Sequence, residues 1–404
     1  MRSTSPADRD FTDLRPLAAA IGDSRIVLLG EESHGDGAAF LLKSRLIEFL
    51  HEEMGFDVLA FESGMYDCAK AWELLRGGEE ARTAVRRGVF PIWTKSEQVL
   101  LLLDYLGSEA RTDHPLELAG FDSQFTGSAS REFLVDDLRA FLQQLGSAAV
   151  DDPAWKGFWA IARDQAAAAY VKREAAKPSP EEREAYLAKL DSLRAEIAAC
   201  AARQPVAEAP FWRQMLASLG SDARMQWTQM DDPDHPTAGV ISLRDPQMAR
   251  NLLWLAGERF HGRKIIVWAH LFHISRHLKA VDGGPEFHQW AEKISNMGQG
   301  VWDALGNQTY VVGFTAYEGS YGTVFEAPQK LEKPGRGSLE DLLVSAGFDL
   351  ALVDLRHPAE GGAWLHDRLA MRALGYEEMN ADWSQVMDAV AFTRRMSPST
   401  KSAQ

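Results

Sequence analysis

The chain has 404 residues, 46% of them apolar, with 43 Lys and Arg against 58 Asp and Glu and a formal net charge of −15. A balance this acidic argues against broad binding to nucleic acid or to an anionic membrane, because like charges repel. Cys68 and Cys200 are the only cysteines, too few for a disulfide framework and suited to a reducing cytoplasm. No apolar run approaches the roughly 18 residues of a membrane span, and no signal-peptide pattern opens the chain.

The first apolar run, "RIVLL" (25–29), stops at Gly30 and gives way to "EESHG", after which helical spacing covers 36–54. "FDVLAFE" (56–62) leads into a helix over 65–77, and "SEQVLLLLDYLGSEA" (96–110) precedes "LELAGFD" (116–122). From 129 to 235 no strand candidate interrupts the helical segments 152–173, 179–204 and 209–230. Ser179 reads as an N-cap with Pro180 at the first helical position. Trp155, Phe158 and Trp159 read as packing residues. Strand candidates return at "KIIVWAH" (264–270), "TYVVGFTAY" (309–317), "LALVDL" (350–355) and "VMDAVAFT" (386–393). Apolar runs alternating with helices predict an α/β fold, a mostly parallel sheet with flanking helices. Residues 1–128 and 236–404 are expected to form this core, with 129–235 a large helical insertion that forms part of the substrate cleft. The tail "SPSTKSAQ" (397–404) reads as disordered, and His51, His114, His261 and His277 read as solvated.

Ligands of parallel sheets sit beyond the carboxyl ends of the strands. Those ends carry Glu31, Glu32 and His34, then Glu62, Asp122, His270 and His273, Glu318 and Tyr321, and Arg356 and His357. Carboxylates beside imidazoles suit general acid–base chemistry, since a carboxylate can fix the tautomer of a His that takes a proton from water. No G-x-S-x-G occurs, so Ser33 is not read as a nucleophile. His270 and His273, spaced H-x-x-H, leave a metal centre open. Residues three apart on a strand point to opposite faces, so they converge only if the chain leaves the strand near Ala269. No metal or cofactor is expected. Plainer roles stand beside these: Glu31 and Glu62 could serve the N-termini of the helices that follow, and Asp122 could be structural.

"GEESHG", "LLKSRLIEFLHEEMGFDVLAFESG", "SLRDPQMARNLLWL" and "KIIVWAHLFHIS" resemble the erythromycin esterase family in order and separation, over about residues 22–393. The resemblance implies hydrolysis of a carboxylic ester or lactone without a covalent intermediate, macrolactones in the family's type members, and hence a link to antibiotic resistance. It implies that His34 activates water, that Glu31 orients it, and that Glu62, His270 and His273 complete the catalytic set. Lys43 stands where the family has Arg. Charge is kept but the bidentate fork is lost. Lys43, His270 and His273 are expected to stabilise the oxyanion or assist the leaving group, and Arg45, Asp122, Arg244 and Tyr321 to contact substrate. Ala38 replaces a frequent Glu and Leu271 a usual Asn, departures read as bearing on the substrate. The expected partner is a small-molecule ester or lactone, met by a monomer. Two alternatives use the same residues: a metal-dependent hydrolase and a non-catalytic binder of a hydrophobic small molecule.

Overall fold

The computed structural model describes residues 1–167, 177–232 and 237–403. The apolar runs become β1 (Ile26–Glu31), β2 (Val58–Gly64), β3 (Glu117–Asp122), β4 (Ile265–His270), β5 (Thr309–Tyr321), β7 (Leu350–Asp354) and β10 (Ala389–Met396), with the short β6 (Gln329–Leu331) beside β5. A separate hairpin comprises β8 (Leu369–Ala373) and β9 (Glu377–Ala381). The main sheet has the order β3-β2-β4-β1-β5-β10-β7. From β3 through β10 every neighbouring pair is parallel, while β7 and β6 are antiparallel additions.

The continuous apolar runs follow from burial on both faces. Ile26 and Leu28 of β1 face one core, with Val58 and Ala60 of β2 and Ile265 and Val267 of β4. Val27 and Leu29, Leu59 and Phe61, and Ile266 and Trp268 face the other, as the two-residue side-chain period requires. Helix Gly37–Met54 covers the second face.

The stretch after β3 supplies helices Val135–Gln144, Lys156–Ala167, Pro180–Arg203 and Ala209–Asp231, and no strand among the described residues up to 232. Their apolar sides join the first core, so sheet and added helices share one interior. Phe158 stacks on Tyr186 at 5.1 Å, while Trp159 is buried and Trp155 packs at the margin, the packing roles expected of them. Ser179 closes a full capping box with Glu182 behind Pro180. Residues 168–173 of the expected helix and the expected boundary at 235 and 236 lie outside the described residues. Helix Thr237–Trp254 then returns the chain to β4. Among the described residues no helix is long and apolar enough to cross a membrane.

Three expectations need correction. The tail is ordered through Ala403: Ser399 donates its N–H to Gly35 O at 2.9 Å, and Ser402 donates its own to Lys95 O at 2.8 Å. Gly35 admits this seam because a Cβ there would lie 2.3 Å from the backbone of Gly322. His51 is buried rather than solvated, with Tyr105 Oη 2.5 Å from Nδ1 and His114 O 3.0 Å from Nε2. Arg45 does not reach any strand end. It is fully buried and donates to Asp13 Oδ1 at 2.7 Å and to the carbonyls of Ser3 (2.9 Å) and Asp10 (2.8 Å), fastening the N-terminal segment to helix Gly37–Met54. Two residues along a helix from Lys43, its side chain leaves on another face.

Arg45→Leu is therefore expected to destabilise the fold by roughly 3 kcal/mol, the usual effect of stripping one partner from a buried pair, read as a lower urea midpoint. Burial alone would raise the Asp13 carboxyl, but Arg45 outweighs it and lowers the group from 3.8 to about 2. The stabilisation should be complete above pH 3.8 and lost as pH falls through about 2. A midpoint unchanged by the substitution would contradict this reading.

Candidate active site

β1 occupies the middle of the sheet, and its last residue, Glu31, lies in register with His270 at the end of β4. Glu62 follows the last β2 residue paired with β4. At His270 the chain leaves the strand. His270 Nδ1 accepts the N–H of Phe272 at 3.1 Å as the N-cap of a short helix, Leu271–Ile274. This turn brings His273 back to the same edge, with the two rings 6.4 Å apart. Gly30 is required beneath it, because a Cβ would lie 2.7 Å from Leu271 Cα. Leu271 itself is fully buried against Gly30 and Gly313.

Glu31 has no exposure to solvent. Its Oε1 accepts from His34 Nδ1 at 3.2 Å and from Trp93 Nε1 at 3.2 Å, and its Oε2 accepts from Lys43 Nζ. Burial alone would raise this carboxyl, but the charge of Lys43 and the bond from His34 hold it below its ordinary value. Lys43 is fully buried, donates also to Ala269 O at 3.1 Å and sits 4.5 Å from the Trp268 ring centre. It supports Glu31 from below and does not reach the open side, a correction to its expected contact with an oxyanion. The Trp93 ring meets that of His34 edge-on at 5.3 Å. His34 keeps 27% of its side chain exposed, and its Nε2 has no hydrogen-bond partner among the described residues.

A second cluster faces it. Glu62 Oε2 accepts the N–H of His270 at 2.9 Å, and Oε1 accepts from Arg244 at 2.8 Å and lies 3.2 Å from His273 Nε2. Arg244 also holds Asp122 at 2.6 Å. His273 Nδ1 lies 2.9 Å from Asp245 Oδ2, which also accepts the N–H of Met297 at 3.1 Å. Burial would raise Glu62, but His273 and Arg244 overcome it and hold the carboxyl well below its usual range. Burial would lower His273, but Asp245 and Glu62 outweigh it and raise it to about 10. The flanking carboxylates of Asp245 and Glu62 favour the imidazolium form of His273, with Arg244 Nη1 also 3.2 Å from its Nε2. His270 is the opposite case. Burial, then the neighbouring His34, push it down to about 4. Neutral, it donates from Nε2 to Glu32 O at 2.7 Å while Nδ1 accepts from Phe272.

The cluster thus brings together Glu31, His34, Lys43, Glu62, Asp122, Arg244, His270 and His273. Asp122 is buried and bound to Arg244, so the side chain expected on substrate is an interior ion pair. Arg244 retains 16% exposure. Tyr321 lies at the end of β5, packed on Tyr376 at 5.0 Å with its hydroxyl on Gln329 at 3.1 Å. Ser33 Oγ accepts the N–H of Gly35 at 3.1 Å and shapes the turn. Glu32 accepts the N–H of Gly375 at 3.0 Å through Oε2. Burial holds its carboxyl well above the usual range and brings Asp36 to about 8. Arg356 pairs with Asp388 at 2.9 Å and His357 is exposed beside Asp354, so both lie apart from this cluster's hydrogen bonds among the described residues. Among the described residues no three His, Cys, Asp or Glu side chains converge as metal ligands.

Two members escaped the sequence reading. Trp93 lies in a short turn of helix, Pro91–Thr94, far from any strand end. Asp245 was visible beside Arg244, but nothing in the order of residues assigns it to His273.

The model of the erythromycin esterase family matches residues 51–396. The chain belongs to the erythromycin esterase family. It is 28% identical over 414 residues to a Bacillus subtilis (strain 168) protein named "Putative hydrolase YbfO", covering 96% of this chain and 87% of that one. A stretch of 57 residues, 14% of either chain, is 46% identical to an erythromycin esterase type II of Escherichia coli. Its fold matches the open conformation of a histidine-to-asparagine variant of the erythromycin esterase EreC, with a TM-score of 0.73 at 17% identity over 99% of this chain and 98% of that one. Family and relatives make this family member esterase-like and a hydrolase.

Nitrogen NMR of labelled histidines should find that neither His270 nor His273 titrates between pH 6 and 8, His270 staying neutral until pH falls toward 4 and His273 charged until it rises toward 10. Because His273 is raised above its ordinary 6.5, its stabilisation is fully present below that pH and is lost as pH rises through about 10. A midpoint near 6.5 for either residue would contradict the charge assignment.

Proposed function

We propose that the protein hydrolyses a carboxylic ester or lactone with water activated by His34, without a covalent intermediate. One observation carries the reading. Of the three imidazoles at the sheet edge, His34 alone has a ring nitrogen without a partner among the described residues, while its other nitrogen donates to the buried, ionised carboxylate of Glu31. His270 and His273 have both nitrogens engaged. The base is therefore His34 Nε2, and Glu31 fixes the Nδ1–H tautomer and stabilises the imidazolium that forms.

Water held by Nε2 attacks the ester carbonyl as His34 takes its proton. The oxyanion develops facing the cationic wall of Arg244 and His273, which is preorganised by Glu62, Asp122 and Asp245 and needs no rearrangement at the moment of reaction. The tetrahedral intermediate collapses as the imidazolium returns its proton to the leaving alkoxide. Lys43 and Trp93 act through Glu31. Macrolides are the first substrates to test, on the strength of the family; the added helices are proposed to wall the cleft.

Incubation of the protein with a panel of macrolides and simple lactones, followed by mass spectrometry, is expected to give a gain of one water on at least one member. His34→Ala should remove it, with a fall of roughly 10² to 10⁴ in rate. Turnover retained in a folded His34→Ala protein would sink the mechanism. Trp93→Phe keeps the ring and deletes one donor to Glu31. It should lower kcat by about tenfold, the scale of one charge-assisted hydrogen bond, and leave KM nearly unchanged. An unchanged kcat would instead indicate a purely structural ring.

A further inference from the structure

Outside the His34 centre, a cavity of about 420 Å³ lies between the helices Pro180–Arg203, Ala209–Asp231 and Thr237–Trp254. That volume is in the range of small-molecule sites. Each helix contributes one arginine to its wall: Arg194, Arg224 and Arg250. The one acid among the described wall residues is Asp191, 3.2 Å from Arg194. Among the described wall residues two positive charges thus stand without an anion, in a protein of net charge −15.

The hydrogen bonding agrees. Arg194 Nε is buried with no partner. Arg250 directs Nε and one terminal nitrogen at the neutral Gln247 Oε1, at 3.0 and 2.8 Å. Arg224 bonds the carbonyl of Gly220 at 3.0 Å. Burial, together with the charge of Arg194, lowers the Arg250 guanidinium from its ordinary value, a sign that the two cations feel each other. Arg224 and Arg250 are exposed to solvent at the cavity, open to an incoming anion, and guanidinium forks match the oxygens of phosphate. Leu187, Leu190 and Leu243 give the cavity an apolar wall.

We propose that this cavity binds a phosphate-bearing small molecule with an apolar body, at a site separate from the His34 centre. An excess of two positive charges suits a dianion, and the leucines suit the body that carries it. The helix Thr237–Trp254 serves both places. It turns Arg244 and Asp245 toward the histidines and Leu243, Gln247 and Arg250 toward the cavity. Ser221 anchors that helix from the cavity side by donating to Leu243 O at 2.9 Å.

Calorimetric titration of the whole protein with phenylphosphonate tests this, with inorganic phosphate and benzoate as comparators. Phenylphosphonate joins a dianion to an apolar ring and contains no ester, so binding is read independently of any hydrolysis. Saturable binding at one site is expected, at least about tenfold weaker for benzoate and for Arg194→Gln/Arg250→Gln, the scale of charge-assisted contacts to guanidinium. The control Arg15→Gln/Arg111→Gln makes the same charge change elsewhere and should bind as the parent does. Absence of saturable binding, equal weakening in both double variants, or benzoate or phosphate binding as tightly as phenylphosphonate would each overturn the proposal.

Discussion

The carboxylate of Glu31 is closed off from water, and the rest of the site follows from that constraint. An ionised carboxylate in an apolar interior is tolerated only where charge and hydrogen bonds replace its lost hydration. Lys43 supplies the charge on one oxygen, while His34 and Trp93 supply donors to the other. Each donor is itself immobilised. Lys43 lies on Trp268, and Trp93 lies among Phe61, Phe90 and Trp268. The aromatic packing of one face of the sheet therefore sets the angle of one imidazole at its edge.

The second cluster obeys the same logic with more charges. Glu62, Asp122 and Asp245 are interleaved with Arg244 and His273 so that no carboxylate is left without a cation and neither cation lacks a carboxylate. Removing one member leaves an uncompensated buried charge, which costs several kcal/mol, so the network is rigid as a unit. His270 sits between the two clusters and is neutral. Its ring bridges β4 to the carbonyl of Glu32, and its N–H binds Glu62. A neutral ring in that place avoids a further cation beside His273.

Much of this was legible in the residue order, for a physical reason. Parallel strands buried on both faces cannot hide their period or their length, and the polar residues that end them mark the sheet's carboxyl edge. Glu31, His34, Glu62, His270 and His273 could be found by that rule alone. Partner choice was not legible. Trp93 reaches Glu31 from a turn that carries no strand signal, and Asp245 reaches His273 across a helix packing whose geometry no local pattern encodes. Arg45 lies away from the strand ends because helical rotation sends it to the N-terminal segment, where Asp13 and the carbonyls of Ser3 and Asp10 await it. The tail was misjudged because its composition is that of a loop, while its backbone hydrogen bonds to Gly35, Gly322 and Lys95 are long-range.

The positions read in the sequence as departures from the family pattern acquire a different meaning in three dimensions. Lys43 and Leu271 are both fully buried. Leu271 fills the space over Gly30 and Gly313 where the chain turns out of β4, so it acts on the placement of the short helix that carries His273. Lys43 offers a single ammonium to Glu31 Oε2, where a guanidinium fork is built to engage two acceptors at once. The other oxygen is thereby left to His34 and Trp93, and the indole N–H does what the second arm of a fork would do. Neither replacement meets the open side of the site. Lys43 touches the carboxylate of Glu31 directly, and Leu271 begins the short helix that carries His273. They bear on how the site is positioned, and the choice of substrate must rest with residues that face the cleft.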